Sequence, residues 1–371
     1  MVFWCLILVN FFNNRETQRI EIAMIKRPRQ PRITTILSRS IVLIGLFVVV
    51  FACYHSSKEL KVYKMNGAAQ GTYYAITYCS DNNENLQPAM DSLFKQFDRS
   101  VSAYLPNSIL SKLNNNDTSV VADAIYESIF NKSMEVSAKT DGAFDITVGP
   151  LVNAWGFGFS KKASVDQALV DSLLPLVGYR NVHLSKGKLV KTDPRIRIDF
   201  DAIAQGYTSD WLAKYLEGRG IQNYLIDVGG EVLGHGSKPD GQKWSVAIEM
   251  PAKNMNDERK IQAILSLVNR AISTSGSYRK YYEENGIRYS HTIDPSNGYP
   301  VKHNLLSVSV VADDCMTADA YATAFMVMGL EKSKDFLSKE RKIEAYFISD
   351  DQNGGFSVYY TPGFDKMLKK N

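Results

Sequence analysis

Apolar and polar positions along this chain change period many times, and each change marks an expected element. Thr72–Tyr78 alternates in β-branched and aromatic residues, the period of two that predicts a strand. Pro88–Val101 and Asp123–Lys139 carry apolar pairs at i,i+4 (Leu93 with Phe97, Ile125 with Ile129), which predicts two helices, the second closing near Gly142. Ser164-Val165-Asp166-Gln167 has the form of a capping box opening another helix. Ile196–Phe200 is expected as a short strand leading into a helix over about Ala202–Glu217, with Ile203, Tyr207, Trp211 and Tyr215 on one face and Gly218 and Gly220 ending it. Tyr224–Val228 and Glu231–Leu233 flank Gly229-Gly230 as the arms of a hairpin would. Strands are then expected at Trp244–Met250, Ile264–Val268, Arg288–Ile293 and Leu305–Val311, before a helix over about Thr317–Met328 that stops at Gly329. Clustered strands with irregularly placed helices predict an α+β fold.

The chain has 371 residues, 45% hydrophobic and 22% charged, which excludes a disordered tail and a polytopic membrane protein. Its net charge of +4 changes the picture only through where it sits. Residues 1–52 hold seven basic and two acidic residues, a surplus of +5; the other 36 basic and 37 acidic residues leave the rest at −1. A near-neutral body has no electrostatic footprint for nucleic acid. From Met24 a basic stretch precedes the apolar run Ile41–Ala52 and then Cys53, the layout of a secretory signal. That run is shorter than the roughly 20 apolar residues of a membrane span. Residues 1–23 have no basic flank, so Met24 is expected as the true start. The expected organisation is a leader over 1–52, a tether over 53–61 and one catalytic unit over 62–371. Without the leader and Cys53, two cysteines remain, Cys79 and Cys315. Both a pair and two buried free thiols stand open.

Chemistry-bearing residues gather in five segments: Thr140–Leu151 (TDGAFDITVGPL), Asp199–Tyr207 (DFDAIAQGY), Asp227–Glu231 (DVGGE), Ser273–Gly276 (STSG) with His291–Gly298 (HTIDPSNG), and Thr317–Thr323 (TADAYAT). Each alone is compatible with turn chemistry. Neither a Walker A sequence nor a GxGxxG after a strand is present. Taken together and in this order, over roughly residues 65–350, the segments resemble the ApbE family, the FAD:protein FMN transferases. Val50-Phe51-Ala52-Cys53 likewise resembles a lipobox, with Cys53 acylated; an uncleaved short anchor is the other reading.

The resemblance implies a T-fold-like α+β unit that binds FAD with magnesium. It implies transfer of the FMN half to a threonine or serine hydroxyl of a target protein, with AMP released. By family position, Asp319, Thr323 and the Ala202 carbonyl would hold the metal. Asp319 and Thr323 at i,i+4 share a helix face, and hard oxygen donors suit magnesium. Gln70, Tyr104, Ala143, Phe144, Asp145, Asp199, Gln205 and Ile293 match flavin-nucleotide contacts. His291 matches the catalytic position; it either relays the acceptor proton or braces the site, and Asp145 or Asp199 stands as an alternative base. The implied partners are FAD, an acceptor protein in trans such as a membrane redox subunit, and a membrane through the lipid, on the periplasmic side of a bacterial envelope. An FAD pyrophosphatase yielding FMN and AMP, and a flavin-binding lipoprotein without catalysis, remain as alternatives.

Overall fold

The structure is a computed structural model that describes residues 60–370 except 83, 159–164, 253–257, 278–280 and 285–286. The leader, Cys53 and Ser164 lie outside the described residues. Among those described, no helix is long and apolar enough to cross a membrane.

In chain order the strands are β1 (Lys61–Ala69), β2 (Thr72–Ser80), β3 (Val182–Ser185), β4 (Lys188–Lys191), β5 (Asn223–Val228), β6 (Glu231–His235), β7 (Trp244–Glu249), β8 (Ile261–Leu267), β9 (Arg270–Gly276), β10 (Tyr281–Glu284), β11 (Ile287–Ser290), β12 (Leu305–Ala312), β13 (Glu344–Asp350) and β14 (Phe356–Tyr360). The helices are α1 (Gln87–Val101), α2 (Ile109–Asn114), α3 (Ala124–Lys139), α4 (Gly149–Ala154), α5 (Gln167–Leu173), α6 (Ala204–Gly218), α7 (Cys315–Lys339) and α8 (Pro362–Asp365).

An eight-stranded antiparallel sheet runs β1-β2-β5-β6-β9-β12-β13-β14, with β3-β4, β7-β8 and β10-β11 as separate ribbons. Helices α6 and α7 pack side by side on one face of the sheet, with α3 behind α7. Ile272, Val232 and Val311 point to the opposite face, into a core with Ile248, Leu265 and Phe364 from the β7-β8 ribbon and α8. Covered on both sides, β12 (LLSVSVVA) is buried along nearly its whole length, Ser307 and Ser309 included.

Two hairpin turns lie next to each other at one end of the sheet. Ala69 pairs with Thr72 across Gln70-Gly71, and Val228 pairs with Glu231 across Gly229-Gly230. All four turn residues have positive φ, as tight hairpins demand. The Gly229 amide donates to the Tyr73 carbonyl at 3.0 Å, joining the turns.

The α+β expectation holds, and most expected elements appear within a residue or two. Several local readings are corrected. Ile196–Phe200 is not a strand: Asn114 Nδ2 donates to the Ile198 carbonyl (2.8 Å) and its Oδ1 accepts from the Ile198 amide (2.7 Å), so one side-chain amide replaces a neighbouring strand. Ile293 lies beyond the strand β11, in an isolated bridge with Pro300. Asp166 caps α5, accepting from the Leu169 amide at 2.8 Å. The last long helix kinks at Gly329 and continues to Lys339. Cys79 and Cys315 are both buried free thiols.

Candidate active site

The site is built where α6 meets α7. Asp314 caps α7, its carboxylate accepting from the Thr317 amide at 2.8 Å, and this sets the phase that turns Asp319 inward. Across the interface Gly206 makes the close approach possible. A Cβ there would stand 2.6 Å from the Cys315 carbonyl oxygen and 2.9 Å from Asp319 Cβ. An α-helical amide reaches back four residues, yet the Gly206 N–H donates to Asp319 Oδ2 at 3.1 Å and not to the Ala202 carbonyl. One turn further along α6, Asp210 accepts from the Cys315 and Met316 amides at 2.8 and 2.9 Å, clamping the start of α7. Burial, then the charge of Asp314, pushes the Asp210 carboxyl up to about 7.

Glu231, the first residue of β6, reaches the same spot from the sheet. The Ser273 hydroxyl on β9 lies 3.4 Å from both Glu231 Oε1 and Asp319 Oδ1. Glu231 is 7% exposed and Asp319 6%, and among the described residues no ion pair reaches either. Glu231 Oε2 is buried with no hydrogen-bond partner. Burial raises both carboxyls, and the charge of Asp319 raises Glu231 further.

The donor chemistry around this pair fits a hard cation: carboxylates, hydroxyls and a carbonyl. Thr323, one helical turn beyond Asp319, places its hydroxyl 3.4 Å from that of Ser275. Ala202 is half-buried in the turn that opens α6. No cluster of three or more His, Cys, Asp or Glu exists among the described residues, so any ion here leans on hydroxyl and carbonyl oxygens.

Gln205 and Gln70 line the hairpin turns beside this centre. A Cβ on Gly229 would come within 3.1 Å of Gln205 Nε2, so the bare backbone is what lets the Gln205 amide lie over the turn. Gln70, at φ 53°, donates to Thr208 Oγ1 at 2.7 Å, while its Oε1 is buried and unpartnered.

The remaining candidates sit on the α3–α4 loop and its neighbours. Phe144 is a core residue, 2% exposed, behind half-buried Ala143. Asp145 commits both oxygens: Oδ1 to the Thr147 amide and hydroxyl (2.8 and 2.6 Å) and Oδ2 to the Tyr179 amide (2.6 Å). It braces the loop through these three bonds. Asp199 accepts from the Asp201 amide at 2.9 Å, and a Cβ on Gly149 would lie 3.4 Å from its Oδ2. Burial, then the charge of Asp201, raises the Asp199 carboxyl. Tyr104 stands 72% exposed within the field of Asp201 and Asp199. His291 and Ile293 belong to the β11–β12 connection, with the His291 ring edge-on to Phe157 at 6.2 Å and Ile293 packed with Leu151, Trp155 and Val170. The candidates thus divide into a carboxylate centre on α6, α7 and the sheet, and a loop-borne wall that carries His291.

Glu231, Ser273 and Asp210 carry no role in the sequence reading. The first two lie inside motif segments already singled out, and that is their only signal; Asp210 has none.

Comparison with known proteins gives the family. Residues 70–347 match the ApbE family. A Haemophilus influenzae protein named FAD:protein FMN transferase is 33% identical over 348 residues, spanning 90% of this chain and 98% of its own length. An Escherichia coli K12 protein of the same name is 34% identical over 320 residues, 82% of this chain and 88% of that protein. The solved flavin transferase ApbE from Vibrio cholerae superposes with a TM-score of 0.75 at 32% identity, covering 83% of this chain and 100% of that one. This chain belongs to the ApbE family, and through it to a family of transferase enzymes.

Proposed function

We propose that this protein transfers the FMN half of FAD to a threonine or serine hydroxyl of another protein, with magnesium, releasing AMP. The relatives' names support flavin transfer. The observation that carries the finer reading is the buried Asp319 carboxylate, without a basic partner among the described residues, with the Ser273 hydroxyl 3.4 Å from it and Thr323 one helical turn further along α7.

In this reading Asp319, Thr323 and the Ala202 carbonyl hold the metal. When bound, magnesium neutralises charge on the pyrophosphate and on the departing phosphate. The two hairpin turns and the wall of Ala143, Phe144, Tyr104 and Ile293 seat the flavin nucleotide, with Gln70, Gln205 and Asp199 as polar contacts and Asp145 as the brace of its loop. The acceptor oxygen forms a bond to the FMN-side phosphorus. The bond from that phosphorus to the bridging oxygen breaks, and AMP leaves with the electron pair. His291 takes the acceptor proton, a task suited to imidazole near neutral pH. The flavin is not oxidised or reduced at any point. With Cys53 lipidated, the enzyme would work on the periplasmic side of a membrane, on a membrane redox subunit.

Incubation with FAD, Mg2+ and a threonine-bearing acceptor tests this. Covalent flavin fluorescence on the acceptor with stoichiometric AMP is the expected result; AMP with only free FMN would assign a pyrophosphatase instead. Asp319→Ala should reduce turnover about a hundredfold or more while the far-UV circular dichroism spectrum stays unchanged. Full activity of that variant would remove the metal assignment.

A further inference from the structure

We infer that Glu231 is a second anionic residue of the divalent-cation site, acting on the ion together with Asp319 across the Ser273 hydroxyl. The inference rests on the cation-dependent reading above and adds to it a residue that this reading does not use.

Buried carboxylates in this protein that serve structure are supplied with donors. Asp145 accepts three hydrogen bonds of 2.6 to 2.8 Å, and Asp210 accepts two from the amides that open α7. Glu231 is not supplied in this way. Its backbone is pinned, since Ser209 Oγ on α6 donates to its carbonyl at 2.9 Å and the Asp227 carboxylate holds the Gly230 amide just before it. Its side chain, apart from its own amide, is offered only the Ser273 hydroxyl among the described residues. That hydroxyl has one proton and two carboxylates at 3.4 Å, so it satisfies at most one of them. Glu231 Oε2, in a residue only 7% exposed, is left with nothing.

Further negative charge surrounds the pair. Asp227 adds to the field on Glu231 and Asp210 to the field on Asp319. Two desolvated carboxylates without a basic side chain cost several kcal/mol each when ionised, unless a counter-charge sits with them. The geometry points to a place for that charge between Glu231 and Asp319, at the Ser273 hydroxyl they share. Oxygen-only donors select a hard divalent ion there.

The test uses the full chain and Mg2+ alone, without FAD. Binding is followed by isothermal titration, and melting temperature is measured with and without the ion. Glu231→Gln keeps the shape and removes the charge. It should weaken Mg2+ about ten- to a hundredfold and raise the metal-free melting temperature, because an uncompensated buried charge is gone. Glu231→Asp, which keeps the charge, should retain more affinity than Gln. Wild-type Mg2+ affinity in Glu231→Gln, with binding lost in Asp319→Ala, would overturn the inference and leave the metal reading standing. Equal weakening in the Gln and Asp variants with lowered metal-free melting temperatures would make Glu231 a packing residue, and overturn it too. Undiminished binding in Asp319→Ala would remove the site reading itself.

Discussion

Gly206 shows how much one missing side chain decides. The part of α7 facing it is backbone, so neither the Cys315 carbonyl nor Met316 Cα, 2.6 and 2.8 Å from where a Cβ would stand, can step aside as a flexible side chain would. Gly206→Ala should therefore push α6 and α7 apart and lengthen the Gly206 N–H to Asp319 bond. The expected cost is about 1–3 kcal/mol, read as a lower urea midpoint, with weaker Mg2+ binding in the same variant. The glycine is visible in the segment DFDAIAQGY, but its reason is not. Helical spacing predicts the helix it lies on, whereas its contact is to a residue 113 positions away. The same holds for Asn114, whose amide stands in for a strand beside Ile198; a strand is expected there because the local alternation is right and the partner is invisible.

The last long helix makes the corresponding point for an element. Its stop at Gly329 is legible, because glycine at a helical boundary offers a positive φ. The backbone there takes φ 75° and ψ 174°, a region essentially reserved for glycine. Less legible is that the chain resumes as helix at once. His303, from the loop before β12, donates Nε2–H to the Met326 carbonyl at 2.7 Å, filling a place the kink vacates, and Ser333 Oγ donates to the Gly329 carbonyl at 2.7 Å. Leu337 and Phe336 then return the second piece to the main core. Gly329→Ala would strain the backbone and set a methyl 3.0 Å from the His303 ring. A loss of about 1–3 kcal/mol is expected, measured by chemical denaturation, with Mg2+ affinity close to wild type because Asp319 lies ten residues earlier on the unkinked piece.

For the molecule as a whole, the buried acids set the response to pH. Asp210 is pushed up to about 7, and Asp145, Asp199, Glu231 and Asp319 are raised as well, each mainly by burial. A carboxyl raised on folding contributes stability that is complete below its unfolded value, about 4, and lost as pH rises through its folded value. The metal-free chain should therefore melt at a lower temperature at pH 8 than at pH 5. Asp210→Asn should flatten that slope between about pH 4 and 7, and Mg2+ should recover part of the loss at pH 8 by binding only the folded form. A flat profile in the wild type would show these groups to be ionised when folded. The chain by its sequence alone determined the α+β class, the strongly periodic strands and helices, the Gly229-Gly230 hairpin, and the motif set that marks its family. These depend on periodicity and on turn residues acting over a few positions, which a linear reading sees wherever no distant side chain takes over the pairing. Only the tertiary structure decided that Gly206, Glu231, Ser273 and Asp319 share one buried centre. Their meeting requires β6 beside β9 in the sheet order and α6 against α7, contacts between segments up to 113 residues apart that no local pattern encodes.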